Sequence, residues 1–334
     1  LLLVTGVFIV AAKRTPFGAY GGLLKDFTAT DLAEFAAKAA LSSGKVPPET
    51  VDSVVVGNVT QTSTYAIYLA RHVGLRVGIP KETPALTVNR LCGSGFQSIV
   101  NGCQDICVKD SEVVLCGGTE NMSQSPYCVR NVRFGTKICL IYFLCMFLSC
   151  FYSYGSLSVL SANDAGYFNN EMVPIEVKTR KGKQTMQVDE HARPETTLEQ
   201  LQKLPPVFKK DGTVTAGNAS GICDGAAAVI IASEDAVKKH NFTPLARIVG
   251  YHVSGCDPSI MGIGKCVVNE AFAPQYLAVE KSLGLDPSKT NVNGGAIALG
   301  HPLAGSGTRI IAHLVHELRY LKSKSYSFGS AEAY

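Results

Sequence analysis

A cysteine in a glycine-lined turn, between a predicted strand and a predicted helix, most constrains how this 334-residue chain can fold. Residues 85–88 form a short apolar run with β-branched side chains, and residues 89–98 read NRLCGSGFQS. Apolar side chains then recur at helical spacing as far as residue 107, so we predict a helix that begins near Ser94. A second strand is predicted at 112–116. This unit of strand, turn, helix and strand places Cys92 at the turn.

Two interpretations of Cys92 remain open on local sequence. A thiol at a helix N-terminus gains thiolate character from unpaired N–H groups and the helix dipole, which favours a nucleophile. The neighbouring Gly93 and Gly95 permit a tight turn and the close approach of a substrate. The alternative is a buried structural cysteine, because free cysteines are mostly buried and inert.

Strands and helices alternate along most of the chain. Because apolar, β-branched runs alternate with helical patterns, we predict an α/β fold with a mostly parallel, buried sheet. Thr30 is the predicted N-cap of the first helix. The other predicted elements are strands at 7–10, 51–56, 245–251 and 290–293, a helix at 65–73, and a helix after His301 and Pro302.

Composition argues against several classes of protein. The net charge is only +4 and the basic residues are scattered, which argues against a nucleic-acid partner. The 11 cysteines form no CxxC pair and no Cys/His ligand spacing, so we predict no metal site. A glycine-rich α/β chain without a secretory signal is typical of a reducing compartment.

Residues 138–160 form an uncharged run that interrupts this pattern. About 20 mostly apolar residues are enough to span a bilayer, so a membrane-anchored variant is one alternative. Soluble-type α/β sequence on both sides, serine and glycine in the second half and the lack of a topology signal argue against a span.

Several motifs together resemble the thiolase family. The Cys92 loop looks like the nucleophile loop of thiolases, and residues 269–273 (NEAFA) match the family's Asn-Glu-Ala-Phe block. Residues 293–302 (NGGAIALGHP) match its histidine block. Similarity at 7–22 and 212–225 extends the resemblance over most of the chain, with the motifs in the family's order.

The resemblance implies the thiolase fold, in which two similar α/β halves stack as five layers (αβαβα) with a loop domain inserted in the first half. On that basis residues 1–120 begin the N-terminal half, residues 121–242 hold the loop domain and the rest of that half, and residues 243–334 form the C-terminal half. Thiolases assemble as homodimers and homotetramers, although the departures from the family pattern described below argue against assembly of this chain.

The implied reaction is thiolytic cleavage of a 3-ketoacyl-CoA to acetyl-CoA and a shortened acyl-CoA in fatty-acid β-oxidation, in the mitochondrial matrix. By resemblance Cys92 is the nucleophile that carries the acyl group, His301 is its base, and Asn269 holds a water that stabilises the oxyanion. Arg193, Thr196 and Ser220 match positions that contact CoA. Coenzyme A and 3-ketoacyl-CoA are then substrates, and no cofactor is implied.

Three departures from the family pattern lead to a competing hypothesis. Residues 138–162 look like foreign sequence, a helix and part of a strand are missing near residues 264–268, and no cysteine follows Cys266 to serve as the family's second catalytic cysteine. The C-terminal half is therefore expected to be incomplete. The alternatives are a catalytically impaired homologue with little turnover that at most binds CoA esters, and a biosynthetic thiolase that forms acetoacetyl-CoA.

Overall fold

The computed structural model describes residues 2–128, 144–145, 156–180, 182–253 and 269–320. The strands are β1 (Leu2–Arg14), β2 (Gly18–Ala19), β3 (Ser53–Gly57), β4 (Ala85–Val88), β5 (Val113–Asn121), β6 (Tyr127–Cys128), β7 (Leu144–Cys145), β8 (Ile175–Thr179), β9 (Gly182–Met186), β10 (Cys223–Ser233) and β11 (Ala246–Tyr251). The helices are α1 (Ala29–Gly44), α2 (Leu69–Arg76), α3 (Ser94–Cys107), α4 (Ser156–Asp164), α5 (Leu198–Gln202), α6 (Glu234–His240), α7 (Ala273–Leu283), α8 (Ala296–Leu299) and α9 (Leu303–Tyr320).

One mixed sheet organises these elements, with strands in the order β11-β1-β10-β5-β3-β4 and with β2 paired to β10. Strand β3 is parallel to β4 and β5, whereas β10 is antiparallel to both β1 and β5. The prediction of a mostly parallel sheet was therefore wrong. Asp224 at the start of β10 pairs with Asn121 at the end of β5, so the chain re-enters the sheet at the end where it left, and β10 must run in the opposite direction.

Helices cover both faces of this sheet. Side chains of α1 and α2 pack on one face, and those of α3 and α9 pack on the other. Strand β10 serves both cores, since Ala228 and Ile230 face the first layer while Val229 and Ile231 face the second. Its unbroken apolar sequence follows from this double burial. Of the five expected layers, the described residues show this helix–sheet–helix set.

Local boundaries differ from the predictions at two places. Thr28, not Thr30, is the N-cap of α1, and it forms a capping box with Asp31. The predicted strand at 290–293 is not a strand, because Asn291 has a φ of 47° and its side chain donates to Glu270 Oε1 over 2.5 Å. The strands at 85–88 and 245–251, and the helices that follow Cys92 and His301, agree with the predictions.

Most of the sequence departures fall on residues that the structure does not describe. The uncharged run at 138–160 is described only at 144–145 and from Ser156 onward, and the segments around 264–268 and after residue 320 lie outside the described residues. Among the described helices, none is long and apolar enough to cross a bilayer. The domain boundaries at 120/121 and 242/243 stay predictions.

Candidate active site

The loop between β4 and α3 holds Cys92 by local hydrogen bonds. Ser94 Oγ accepts from the Arg90 amide over 2.8 Å and donates to the Leu91 carbonyl over 2.6 Å. Asn89 Oδ1 accepts from the Leu91 amide over 3.0 Å. These bonds hold Leu91 in the left-handed region at a φ of 45°, which a bulky side chain rarely adopts. The nucleophile candidate therefore sits in a fixed and locally strained turn.

His301 is held in the short loop between α8 and α9. Its backbone amide donates to the Gly221 carbonyl over 3.0 Å, and its Nδ1 lies 2.7 Å from Ser306 Oγ in the first turns of α9. The imidazole is buried, and Asn269 Nδ2 lies 3.2 Å from Nδ1 and 3.4 Å from Nε2. With Nδ1 engaged by a hydroxyl, Nε2 is the nitrogen that faces the remainder of the site.

The two loops meet at the reacting atoms. His301 Nε2 lies 3.0 Å from Cys92 Sγ, although the residues are 209 positions apart in the sequence. The structure thus brings Cys92, His301 and Asn269 together. A cysteine within hydrogen-bond reach of an imidazole that a third group orients is the arrangement of an activated nucleophile.

Close packing of α3 on α9 makes this contact possible. A Cβ on Gly95 would overlap Thr308 Oγ1 and the Ala304 carbonyl, and a Cβ on Gly118 of β5 would overlap the same carbonyl. A Cβ on Gly307 would lie 2.5 Å from the amide nitrogen of Phe96. Because no side chain intervenes at these glycines, the beginnings of the two helices touch backbone to backbone.

The electrostatics differ from the expectation of a thiolate stabilised by the helix dipole. Burial raises the pKa of the Cys92 thiol to about 12, and the nearby charge of Glu120 adds to that rise. Burial also lowers the pKa of His301 to about 4, with repulsion from Arg309 as a second cause. Both shifts disfavour charge, so the resting site holds a neutral thiol beside a neutral imidazole.

The three predicted CoA contacts lie on two segments next to this site. The Ser220 amide donates to the Ala271 carbonyl over 2.8 Å, and the neighbouring Gly221 carbonyl binds the His301 amide. Arg193 is exposed and Thr196 is half-buried on the loop before α5. The structure brings Ser220 to the His301 loop, and Arg193 and Thr196 follow His191, whose ring lies against the neighbouring Gly221.

Glu120, near the end of β5, is a residue of the site that the sequence reasoning missed. Its side chain is fully buried, and it accepts a hydrogen bond from the Ala304 amide in the first turn of α9 over 3.3 Å. A single carboxylate at the end of the apolar strand sequence VVLCGG was the available signal. Within the described segments, no group of three or more His, Cys, Asp or Glu residues could hold a metal ion.

Comparisons with known proteins match most of the chain to a single family. The family model described as "Thiolase, N-terminal domain" matches residues 7–144 and 158–235, and "Thiolase, C-terminal domain" matches residues 265–331. The N-terminal match skips 145–157, which lie within the segment interpreted as foreign sequence.

Individual relatives agree with the family models. The chain is 70% identical to human "3-ketoacyl-CoA thiolase, mitochondrial", with 99% of this chain and 96% of the human protein covered. That alignment spans 382 residues, 48 more than the 334 of this chain, so at least 48 aligned positions have no residue here.

Solved structures of the human enzyme are similar over the same extent. Its crystal structure and a second one in complex with CoA each align with a TM-score of 0.91 and 69% identity. Each covers 97% of this chain, and the shares of the human chains covered are 95% and 94%. Since the Cys92 loop, the sheet around it and the His301 loop all fall within these matches, the chain belongs to the thiolase family.

Proposed function

We propose that this chain is a 3-ketoacyl-CoA thiolase that cleaves 3-ketoacyl-CoA with CoA, through an acyl-Cys92 intermediate. The 3.0 Å contact between Cys92 Sγ and His301 Nε2 carries the proposal, because it joins a nucleophile to a base. The 70% identity to a named 3-ketoacyl-CoA thiolase favours cleavage over an impaired or a biosynthetic homologue.

In the first half-reaction Cys92 Sγ attacks the C3 keto carbon as its proton passes to His301 Nε2. This coupled transfer suits a pair that is neutral at rest, because a free thiolate need not accumulate beforehand. The C2–C3 bond then breaks with its electron pair on C2, which yields the enolate of acetyl-CoA and acyl-Cys92. The imidazolium returns its proton to C2 and releases acetyl-CoA.

In the second half-reaction the thiol of a new CoA gives its proton to His301 and attacks the thioester carbonyl. The Cys92 sulfur leaves and regains the proton, so the enzyme returns to its starting state. Negative charge develops on a carbonyl oxygen in both halves, and fixed donors there lower the barrier. Asn269 Oδ1 is buried and has no hydrogen-bond partner among the described residues, so it is available to orient a water toward that oxygen.

Ser220, Arg193 and Thr196 form the proposed path of CoA from the reacting centre to the surface. Ser220 borders the His301 loop and suits the pantetheine arm, whereas exposed Arg193 suits the phosphates or the adenine of the nucleotide end. A crystal structure of the human relative in complex with CoA supports CoA as a ligand of this fold.

The proposed setting is the mitochondrial matrix and the proposed assembly is a homo-oligomer. The relatives named as mitochondrial enzymes support the location. Strand β4 pairs only with β3 among the described strands, so it is an edge open to a second copy. Large apolar side chains are exposed around this edge, namely Tyr65, Ile67, Tyr68, Leu86 and Leu91.

An acylation assay tests the proposal. Purified protein mixed with acetoacetyl-CoA should gain one acetyl group on the peptide that contains Cys92, and added CoA should remove it. Cys92→Ser should abolish the mass gain, while Cys107→Ser, which changes an exposed cysteine on α3, should retain it. Lack of acetylation at Cys92 in the folded protein would contradict the proposed function.

A further inference from the structure

The carboxylate of Glu120 is the most heavily hydrogen-bonded side chain next to the reacting pair. It accepts from the amides of Val59 and Thr60 over 3.1 and 2.8 Å, and from Thr60 Oγ1 over 2.5 Å. Asn58 Nδ2 donates to it over 3.1 Å, and the Ala304 amide donates over 3.3 Å. The residue is fully buried in β5, so these donors replace the water that a carboxylate would otherwise bind.

These donors favour the ionised form of the side chain. The three amides and Asn58 Nδ2 can only donate hydrogen bonds. A carboxylate accepts at both oxygens, whereas a protonated carboxyl would point its own O–H at this group of donors. Burial raises the pKa of Glu120, but the hydrogen bonds from Thr60, Val59 and Ala304 oppose that rise. The Glu120 carboxylate lies at the N-terminus of α9, where the helix dipole favours negative charge, and this charge disfavours a thiolate at Cys92.

The same carboxylate joins the two segments that bring the reacting atoms together. On one side, Glu120 binds the loop at 58–60. The Cys92 loop binds the same segment, since Asn89 Nδ2 donates to the Val59 carbonyl over 3.2 Å. On the other side, Ala304 follows His301 by three residues, at the start of α9. A shift of Glu120 would thus move the Cys92 loop and the His301 loop relative to each other.

We propose that Glu120 is a positioning residue for acyl transfer: its carboxylate sets the separation of Cys92 and His301, and its charge adds to the burial that keeps Cys92 a thiol until substrate is bound. The inference rests on the proposed function, but its second part concerns only the state of the thiol. Like charges disfavour one another, so the Glu120 charge adds to the cost of forming a thiolate at Cys92. His301 can then take the proton only while the carbon–sulfur bond forms, which limits side reactions of an idle thiolate.

Two variants separate the geometry from the charge. Glu120→Gln keeps the shape but removes the charge and one acceptor oxygen, whereas Glu120→Asp keeps the charge but withdraws it by one methylene. With acetoacetyl-CoA, both should lower kcat by about 10- to 100-fold while KM stays within about threefold, because small misplacements of reacting groups slow chemistry more than binding. At about pH 8, iodoacetamide should alkylate Cys92 about tenfold faster in Glu120→Gln and at the wild-type rate in Glu120→Asp.

Glu171→Gln is the matched control, because Glu171 is an equally buried carboxylate that is bound by Arg14 and His313 instead. It should lower the melting temperature and leave Cys92 alkylation unchanged. If both Glu120 variants keep the wild-type kcat, the positioning role is wrong. If Glu120→Asp is alkylated as fast as Glu120→Gln, looser packing and not the loss of charge explains the faster alkylation. The proposed effect of the Glu120 charge on the Cys92 thiol is then wrong.

Alkylation needs no turnover, so it separates the two proposals. A wild-type protein that is never acylated by acetoacetyl-CoA would disprove the proposed function, while the alkylation rates would still decide the effect of the Glu120 charge. Should Glu120→Gln fail to fold, the kcat of Glu120→Asp alone decides the positioning role.

Discussion

The Cys92 loop and the His301 loop present the two reacting atoms in similar ways but are built differently. Both are followed at once by a long helix, α3 or α9, and glycines let these helices touch. Before Cys92 comes β4, a strand of the main sheet, whereas before His301 comes the short helix α8. Cys92 is therefore fixed by the sheet, while His301 is fixed by Gly221, Ser306 and the packing of α9.

This difference shows that the site depends on one contact between layers. The nucleophile loop could form with the sheet and α3 alone, since its hydrogen bonds are local. The base reaches it only if α9 lies on α3 at the distance that the glycines permit. We therefore expect changes in the His301 loop to alter the rate of acyl transfer, and changes at the helix crossing to alter the free energy of unfolding.

The largest effect is expected from His301→Gln, which leaves the Cys92 loop untouched but removes the base. Acyl transfer to Cys92 should slow by about 10²- to 10⁴-fold, the usual contribution of a general base. The measurement is single-turnover acetylation by acetoacetyl-CoA. His72→Gln on α2, a histidine whose ring lies near the rings of Tyr65 and Tyr68 and away from the Cys92 and His301 loops, should keep the wild-type rate. A wild-type rate in His301→Gln would show that acyl transfer to Cys92 does not need His301.

Gly95→Ala tests the helix crossing. Alanine is more favourable than glycine in a helix interior by about 0.5–1 kcal/mol, but Gly95 lies in the first turn of α3, where an alanine Cβ would overlap the Ala304 carbonyl, which cannot rotate away. We expect the free energy of unfolding to fall by about 1–3 kcal/mol in urea denaturation. Gly284→Ala, at a φ of 62° with nothing within 4 Å, isolates the cost of a left-handed alanine, about 1–2 kcal/mol. A stabilised Gly95→Ala protein would show that the helices can separate freely.

The pH dependence of alkylation tests the neutral pair. The pKa of Cys92 is raised to about 12 and that of His301 is lowered to about 4, so no thiolate–imidazolium pair exists between these values. The rate of reaction with iodoacetamide should rise about tenfold per pH unit across the neutral range, because only thiolate reacts. A rate that is constant from about pH 6 to 8 would instead reveal a preformed ion pair.

The smallest effect is expected from Ser306→Ala, which removes one hydrogen bond to His301 Nδ1. Loss of a neutral hydrogen bond is worth about 0.5–1.5 kcal/mol, so acyl transfer should slow about 2- to 12-fold. The measurement is again single-turnover acetylation, with Ser98→Ala on α3 as a control, since Ser98 Oγ donates only to the Gly95 carbonyl within its own helix. Equal slowing of acetylation in both variants would show that the rate depends on helix stability and not on the hydrogen bond to the His301 imidazole.

The sequence predicted best those features that depend on neighbouring residues. The strand before Cys92 and the helix after it follow from local apolar spacing and from the glycines of the turn. The capping box of Thr28 and Asp31 is equally visible in the sequence, as a threonine three residues before an aspartate, and it predicts the observed N-cap better than Thr30 does. His301 was identified through the family motif, because a histidine between two glycine-rich segments has no local signature of a base.

Features that depend on distant partners could not be predicted in the same way. The direction of β10 is set by where the chain returns to β5, about a hundred residues after leaving it, and its apolar sequence suits either direction. Residues 290–293 contain β-branched side chains, yet the bond from Asn291 to Glu270 turns the backbone away from a strand. The donors of Glu120 likewise come from three separate segments, so no pattern in the sequence reveals them.

The backbone contact of α3 with α9 also has a consequence during synthesis. The sulfur of Cys92 emerges 209 residues before the imidazole that is to receive its proton. Ribosomes add about 5–20 residues per second, so the nucleophile is made about 10–40 s before its base. Throughout that interval the growing chain holds a thiol without its base, so the Cys92–His301 pair can form only after most of the chain has been made.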